Sequence, residues 1–257
     1  MEKKQSLIRF ILLTALNGFY FIYLLILSII YECFFLFLIF PFLIVLKKGR
    51  IDDVMRIHNW AFGRFVVRCS WPLVRIRLKG TENFPKKQPV VFVFNHRSYV
   101  DILFTTFVNI PNLMVMVRSW PFKLKLFKLY MLGAKYIDIE KISSEGLSSA
   151  GREMTARKVS FVFFPEGHRS RDGKILQFRL GAFMVAAENN LPIVPVCITG
   201  TEKVATKSFP YFHPARVDIN ILPSVEPGIF QGERQVRNMC KHVENMYKQS
   251  LGQEIED

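Results

Sequence analysis

The stretch PVVFVFNHRSYVD, from Pro89 to Asp101, joins an apolar run directly to a group of polar residues. The run Val90–Phe94 is short, rich in β-branched and aromatic residues and apolar throughout, which is typical of a strand buried inside a parallel sheet. Asn95 and His96 follow at its carboxyl end. Because ligands bind at the carboxyl ends of the strands in open α/β sheets, the stretch predicts an α/β fold with a site after this strand.

Short apolar runs alternate with helix-like stretches along most of the remaining chain. Besides Val90–Phe94 and the alternating run LVRIRLKG at 73–80, the predicted strands are Leu113–Val117, Lys135–Ile139, Ser160–Phe164, Ile193–Ile198 and Arg216–Ile221. The predicted helices are 99–109, 121–132, 144–157, 178–189 and 231–250. Strands that alternate with helices indicate a largely parallel sheet flanked by helices.

The amino-terminal region is apolar over a length unusual for a soluble domain. Phe10–Tyr31 holds 22 uncharged residues and Cys33–Leu46 another 14. One straight helix over residues 6–46 would be about 60 Å long, about twice the hydrocarbon thickness of a bilayer. We therefore expect a bend, at Asn17-Gly18, Glu32-Cys33 or Pro41. The prediction is a membrane-embedded helical hairpin over residues 1–50 and an α/β domain over residues 51–257; the alternative is a single crossing with a long interfacial helix.

Basic residues flank the apolar region on both sides. Lys3, Lys4 and Arg9 stand at its start, and Lys47, Lys48 and Arg50 stand just after it. Because lysine and arginine near membrane segments favour the cytosolic side, both ends of the hairpin, and the domain that follows, are expected on the cytosolic face.

The charge and composition of the whole chain also favour a membrane. The net charge is +14, and half of the residues are hydrophobic. An excess of basic residues together with apolar ones suits an anionic lipid surface better than nucleic acid, for which no reader motif appears. The four cysteines have neither metal-ligand nor C-x-x-C spacing, so we expect no disulfide and no metal site.

His96 and Asp101 are candidates for an acid–base pair. A histidine has a pKa near neutrality and can take a proton from an alcohol, and a carboxylate can orient its ring. Residues five apart lie about 140° from each other around an ideal helix. The pair can therefore meet only if His96 precedes the helix and Asp101 lies in its first turns. The alternative is that both are polar residues capping a helix.

A second polar stretch, FFPEGHRSRDG from Phe163 to Gly173, follows another predicted buried strand. Arg169, Arg171 and Lys174 crowd its loop, and guanidinium groups match the geometry of phosphate oxygens. Glu166 can orient an arginine or bind a substrate hydroxyl. The alternative is a solvated basic loop with a surface ion pair.

Taken together, these stretches resemble the glycerolipid acyltransferases, the family of the 1-acyl-sn-glycerol-3-phosphate acyltransferases. The family motif Asn-His-x-x-x-x-Asp is matched by Asn95, His96 and Asp101, and Phe-Pro-Glu-Gly-Thr-Arg-Ser is matched by residues 164–170 with His168 in place of threonine. A further Phe-Lys-x-Gly-Ala signal resembles residues 178–182, and an apolar Pro-Val stretch resembles residues 192–196. The resemblance covers about residues 85–205.

Besides His168, two positions depart from the family pattern. Arg97 stands where many members carry glutamine, and Ile139 stands where the second motif has an arginine. Arg118, Lys135 and Lys141 are the candidates to supply that missing charge.

The resemblance implies a role for each matched residue. His96 would deprotonate a glycerol hydroxyl while Asp101 orients its ring, and the hydroxyl would attack an acyl thioester without an acyl-enzyme. Arg97, Glu166, Gly167 and Arg169 would bind the polar, phosphorylated end of the acceptor.

The resemblance also implies the partners. The substrates would be a lysophospholipid and the thioester of acyl-CoA or acyl carrier protein, with no cofactor, at an anionic membrane. Two alternatives remain open: an acyltransferase for another lysolipid, and a non-catalytic lipid-binding protein on the same fold.

Overall fold

Seven strands form one sheet in the computed structural model, which describes residues 2–84, 89–170, 172–205 and 213–254. The spatial order is β1-β7-β6-β2-β5-β3-β4, and every neighbouring pair is parallel except β6 and β7. The bounds are β1 Val74–Lys79, β2 Val91–Phe94, β3 Leu113–Val117, β4 Ile137–Asp138, β5 Ser160–Phe163, β6 Ile193–Thr199 and β7 Ala215–Ile221. The predicted α/β fold with a largely parallel sheet is confirmed.

Helices cover both faces of this sheet. They are α1 Glu2–Phe34, α2 Phe40–Leu46, α3 Ile51–Cys69, α4 Asp101–Phe104, α5 Lys125–Gly133, α6 Ser144–Ala156, α7 Gly181–Asn189, α8 Thr201–Val204 and α9 Gln235–Ser250. Because alternate side chains of a strand point to opposite faces, Val91 and Val93 of β2 pack in the core layer that includes α6, α7 and α9. Phe92 and Phe94 pack in the layer beneath α3 and α4.

A tyrosine of α9 hydrogen-bonds to the sheet next to a proline of the central strand β6. Pro195 pairs in register with Val93 of β2 and cannot donate a hydrogen bond to the sheet. The buried hydroxyl of Tyr247 donates to the carbonyl oxygen of Val93 and accepts from the backbone N–H of Val196 at 2.9 Å. The tyrosine hydroxyl thus bridges the backbones of β2 and β6 beside the proline.

The predicted hairpin within residues 1–50 is wrong. Glu2–Leu46 is one helical run in which the π-helical segment Phe35–Ile39 joins α1 to α2. The N–H of Phe40 donates to the carbonyl of Phe35, five residues back, so Pro41 is accommodated by local widening of the helix. The chain turns at residues 47–50, and α3 returns along α1, with the ring of Tyr31 against that of Phe65 at 4.9 Å between centroids.

The helix continues through Glu32, and a histidine of α3 lies beside its carboxylate. Nε2 of His58 lies 3.2 Å from Oε2 of Glu32, and the rings of Tyr31 and Phe35 flank the imidazole. Burial lowers the pKa of His58, while the neighbouring Glu32 carboxylate acts in the opposite direction. A residue chosen from sequence as a break point is therefore a helix–helix contact.

One helical run in the described part of the chain, Thr14–Leu46, is long and apolar enough by length and composition to cross a membrane. Its side chains are mostly exposed, among them Phe19 and Phe37, each at 73%. An apolar surface of this extent on a helix indicates contact with lipid or protein rather than water. The domain boundary at residue 50 stays a prediction.

Tyr247→Phe should lower the free energy of unfolding by roughly 1–3 kcal/mol, because it leaves buried backbone groups of Val93 and Val196 without a partner. Thermal unfolding of the detergent-solubilised chain measures the effect. Tyr99→Phe is the matched control, since the Tyr99 ring is 60% exposed. Equal melting temperatures for the two variants would contradict this account of Tyr247.

Candidate active site

The loop between β2 and α4 holds His96 at the carboxyl edge of the sheet. Its base is fixed by the buried Asn95, which donates to the carbonyl of Ile198 at 2.9 Å and accepts from the N–H of the same residue at 2.7 Å. These two bonds tie the loop to β6 and leave His96 in a fixed position just beyond the strand end.

His96 and Asp101 are in contact. Nδ1 of His96 lies 2.8 Å from Oδ2 of Asp101, and that oxygen also accepts the N–H groups of Arg97 and Ser98, each at 2.7 Å. The helix α4 begins at Asp101, so His96 precedes it as the five-residue spacing requires. The Asp101 side chain is fully buried, whereas the His96 side chain is 22% exposed. With Nδ1 bound to the carboxylate, Nε2 is the nitrogen left to accept a proton from a ligand.

Glu166 lies behind the histidine rather than on the surface of its loop. Its Oε1 accepts from the N–H of His96 at 2.6 Å and its Oε2 from the N–H of Leu176 at 2.9 Å. Burial raises the pKa of Glu166 to about 7, although the two backbone N–H groups act in the opposite direction. The prediction placed this carboxylate on the acceptor; in the structure both of its oxygens hold the chain around His96.

Arg97 also turns inward. Its Nη2 donates to the carbonyl of Gly173 at 2.8 Å, and its Nε is buried without a partner among the described residues. The guanidinium is therefore engaged with the loop at residue 173. The predicted contact with substrate stays a prediction, and the observed contact is one that positions the loop.

Gly167 and Arg169 lie on the accessible side of their loop. Gly167 adopts a φ of +67°, and a Cβ there would lie 2.8 Å from Nε of Arg179, so a larger residue would be both strained and crowded. The guanidinium carbon of Arg169 lies 3.4 Å from the centroid of the Tyr99 ring. This cation–π contact holds the arginine beside the loop of His96.

Arg118, one of the three candidates to replace the arginine expected at position 139, contacts this loop. Its Nη1 lies 3.0 Å from Nδ1 of His168 and 3.5 Å from the carbonyl oxygen of Gly167. Its Nε donates to Glu140 at 2.7 Å, and the N–H of Ser119 and the Arg118 guanidinium lower the pKa of Glu140 to about 2. Lys141 instead pairs with Asp138 at 3.7 Å.

The carboxyl-terminal region contributes a contact that sequence reasoning missed. Gln253 accepts the N–H of Ile175 at 3.0 Å and donates to the carbonyl of Gly173 at 2.9 Å. Arg97 and Glu166 bind the same segment, through the carbonyl of Gly173 and the N–H of Leu176. A glutamine in a short polar tail carries no signal for such a role, because the partner is 80 residues away.

No group of three or more histidine, cysteine, aspartate or glutamate side chains in the described ranges is placed to hold a metal ion. The described residues of the site offer a histidine with a buried carboxylate beside it and guanidinium groups within the adjoining loops.

The comparisons with known proteins match the part of the chain that carries these loops to acyltransferases. The acyltransferase family model matches residues 75–199. A 1-acyl-sn-glycerol-3-phosphate acyltransferase of Limnanthes douglasii is 27% identical over 183 residues, covering 69% of this chain and 64% of its own length. A putative enzyme of the same name from Caenorhabditis elegans is 27% identical over 219 residues, covering 79% of this chain and 78% of its own.

A solved structure shows the same fold. The crystal structure of the 1-acyl-sn-glycerophosphate acyltransferase PlsC from Thermotoga maritima superposes with a TM-score of 0.64 at 23% identity, covering 90% of this chain and 97% of that one. The loops that carry His96 and Glu166 lie inside the region matched by the family model. The part of the chain that carries both loops, residues 75–199, is thus similar to the acyltransferase family.

Proposed function

We propose that the chain is a membrane-bound O-acyltransferase that moves a fatty acyl group from a thioester to the free hydroxyl of a lysophospholipid. The favoured acceptor is 1-acyl-sn-glycerol-3-phosphate, which would give phosphatidic acid. The single observation that carries the proposal is the contact of His96 with the buried Asp101, at 2.8 Å, at the carboxyl edge of the sheet. The names of the relatives support the choice of acceptor.

The geometry suits direct transfer. Nε2 of His96 takes the proton of the acceptor hydroxyl as its oxygen attacks the thioester carbonyl, and Asp101 stabilises the imidazolium that forms. The carbon–sulfur bond then breaks, and the imidazolium returns its proton to the departing thiolate. The products are an ester and a free thiol, and no group of the protein is acylated.

The phosphorylated end of the acceptor would bind at the loop of Gly167. Arg118 and Arg169 lie there, and a guanidinium offers paired donors to phosphate oxygens. Glu166 and Arg97 act in this proposal through the backbone, by holding the loops in place.

The apolar helix Thr14–Leu46 would anchor the chain in the membrane, with the α/β domain on the cytosolic face. Lys47, Lys48 and Arg50, at the end of the helix that leads into the α/β domain, favour the cytosolic face for that domain. The acyl donor would then reach the site from the cytosol, as acyl-CoA or acyl carrier protein, while the acceptor arrives from the leaflet.

Removing the base should abolish transfer. His96→Ala and Asp101→Ala are expected to lower kcat by about 10²–10⁴-fold, the range in which a positioned general base contributes. Release of free thiol from acyl-CoA in the presence of a lysolipid panel measures the rate. His213→Ala is the control, since His213 is exposed. Full activity of a folded His96→Ala protein would rule the mechanism out.

Arg118→Ala should raise KM for a phosphorylated lysolipid by about tenfold to a hundredfold, the effect of losing one hydrogen bond to a charged group. The same variant should change KM little for a monoacylglycerol, which lacks the phosphate. Arg152→Ala removes an exposed arginine of α6 and serves as the control. Equal losses with both acceptors would remove Arg118 from the phosphate site.

Gln253→Ala should lower kcat by about fivefold to tenfold, since it removes two hydrogen bonds that hold the loop behind Glu166. The pH dependence of kcat should shift as well, because the environment of Glu166 and His96 changes. Gln249→Ala, at an exposed position of α9, is the matched control. An unchanged pH profile alongside a lower melting temperature would show a role in stability alone.

A non-catalytic lipid-binding protein is the second candidate. The departures His168 and Ile139 from the family motifs favour it. Binding of lysolipid without any thiol release from acyl-CoA or acyl carrier protein would decide for this alternative.

A further inference from the structure

We propose that the chain has a second lipid-contacting surface on its α/β domain, and that its partner is an anionic membrane. We name it the α5 surface, and its residues are Trp120, Lys123, Leu124, Lys125, Phe127, Lys128, Leu129 and Leu132. The inference rests on the proposed membrane-bound function and goes beyond it, because it assigns lipid contact to the domain that carries the site.

The α5 surface exposes large apolar side chains at an unusual density. Five of them, all between residues 120 and 132, are 45% or more exposed: Trp120, Leu124, Phe127, Leu129 and Leu132. Leu129 is 66% exposed and Leu132 57%, and they lie one turn apart on the same side of α5. Grouped apolar side chains of this kind mark an interaction surface, whereas single ones need no explanation.

The charges of the α5 surface match anionic lipid. Lys123, Lys125 and Lys128 are exposed among the apolar residues, and no acidic residue occurs between Asp101 and Asp138. Lysine can lay its methylene groups along an apolar surface while its ammonium group reaches the lipid phosphates. Apolar and basic residues interleaved in this way are typical of a helix lying in the membrane interface.

One end of the α5 surface adjoins the apolar helix. The ring of Tyr130, on the packed side of α5, stacks on His58 of α3 with 5.6 Å between centroids. His58 in turn lies beside Glu32 of the long helix. The proposed membrane anchor and the α5 surface are therefore neighbours joined through one imidazole, which favours lipid over a soluble protein as the occupant.

The other end of the α5 surface reaches the rim of the site. The ring of Trp120 packs edge to face against the ring of Tyr99, with 5.9 Å between centroids. The guanidinium of Arg169 lies over the same Tyr99 ring. Tyr99 itself follows His96 by three residues. Lipid bound along the α5 surface would hold this rim at the level of the headgroups, where a lysophospholipid presents its phosphate and its free hydroxyl.

The test measures how deeply spin labels on the full chain lie in the bilayer of vesicles made of phosphatidylcholine and phosphatidylglycerol. Cys33 and Cys69 are replaced by serine, and the buried Cys197 and Cys240 are kept. Single cysteines are then introduced by Leu129→Cys in the α5 surface, Phe19→Cys in the long helix, and Gln249→Cys on α9, which packs on the opposite face of the sheet.

The label at position 129 is expected to collide more with oxygen than with a water-soluble nickel complex, as the label at position 19 does, while the label at 249 shows the reverse. A label at 129 that resembles the one at 249, with the label at 19 in lipid, overturns the inference and leaves the membrane anchor intact. If the label at 19 is also in water, the membrane-bound function fails, and this inference falls with it.

Changing Lys123, Lys125 and Lys128 together to glutamine tests the charge. The expected result is a shallower label at 129 and about a tenfold higher KM for lysolipid embedded in anionic vesicles, since each lysine near such a surface contributes to binding. KM for a short-chain, water-soluble lysolipid should not change. If the variant instead loses activity only with acyl carrier protein as donor, and the label at 129 stays in water, the surface binds an acidic protein and the inference is overturned.

Discussion

The buried carboxylate of Glu166 is the contact on which the arrangement of the site depends. One of its oxygens accepts from His96 and the other from Leu176, so a single side chain joins the loop after β2 to the chain that follows β5. A buried N–H left without an acceptor costs roughly 1–3 kcal/mol, which makes other arrangements of these loops unfavourable. Burial also raises the pKa of Glu166 to about 7, so the loops alter the ionisation of the group that holds them.

Strand order brings these loops together. β2 lies between β5 and β6, and all three run parallel, so their carboxyl ends meet at one edge of the sheet. Asn95 binds the end of β6, and Glu166 binds the loop after β2. The 70 residues that separate His96 from Glu166 in sequence are mostly the crossovers that parallel strands require.

The long helix continues through two residues at which short sequence patterns predict a break. Sequence patterns treat Glu32 and Pro41 as interruptions, because a charge or a proline inside an apolar helix is costly on its own. In the structure His58 lies beside Glu32, and a π-helical segment takes up Pro41, so the helix continues. The residue that lies beside the charge is on another helix and cannot be seen within any short window of sequence.

The sequence by itself determined the strands, their alternation with helices and the condition that His96 must precede the helix if it is to meet Asp101, because these follow from residue types only a few positions apart. The tertiary structure decided which polar residues turn inward and which distant residues reach the loops of the site. Arg97 and Glu166 turn inward. Arg118 contacts the carbonyl oxygen of Gly167, 49 residues away in sequence, and Gln253 contacts that of Gly173, 80 residues away. The physical reason is that a polar side chain binds the partner that lies near it in the folded protein, and the path of the chain determines which residue that is.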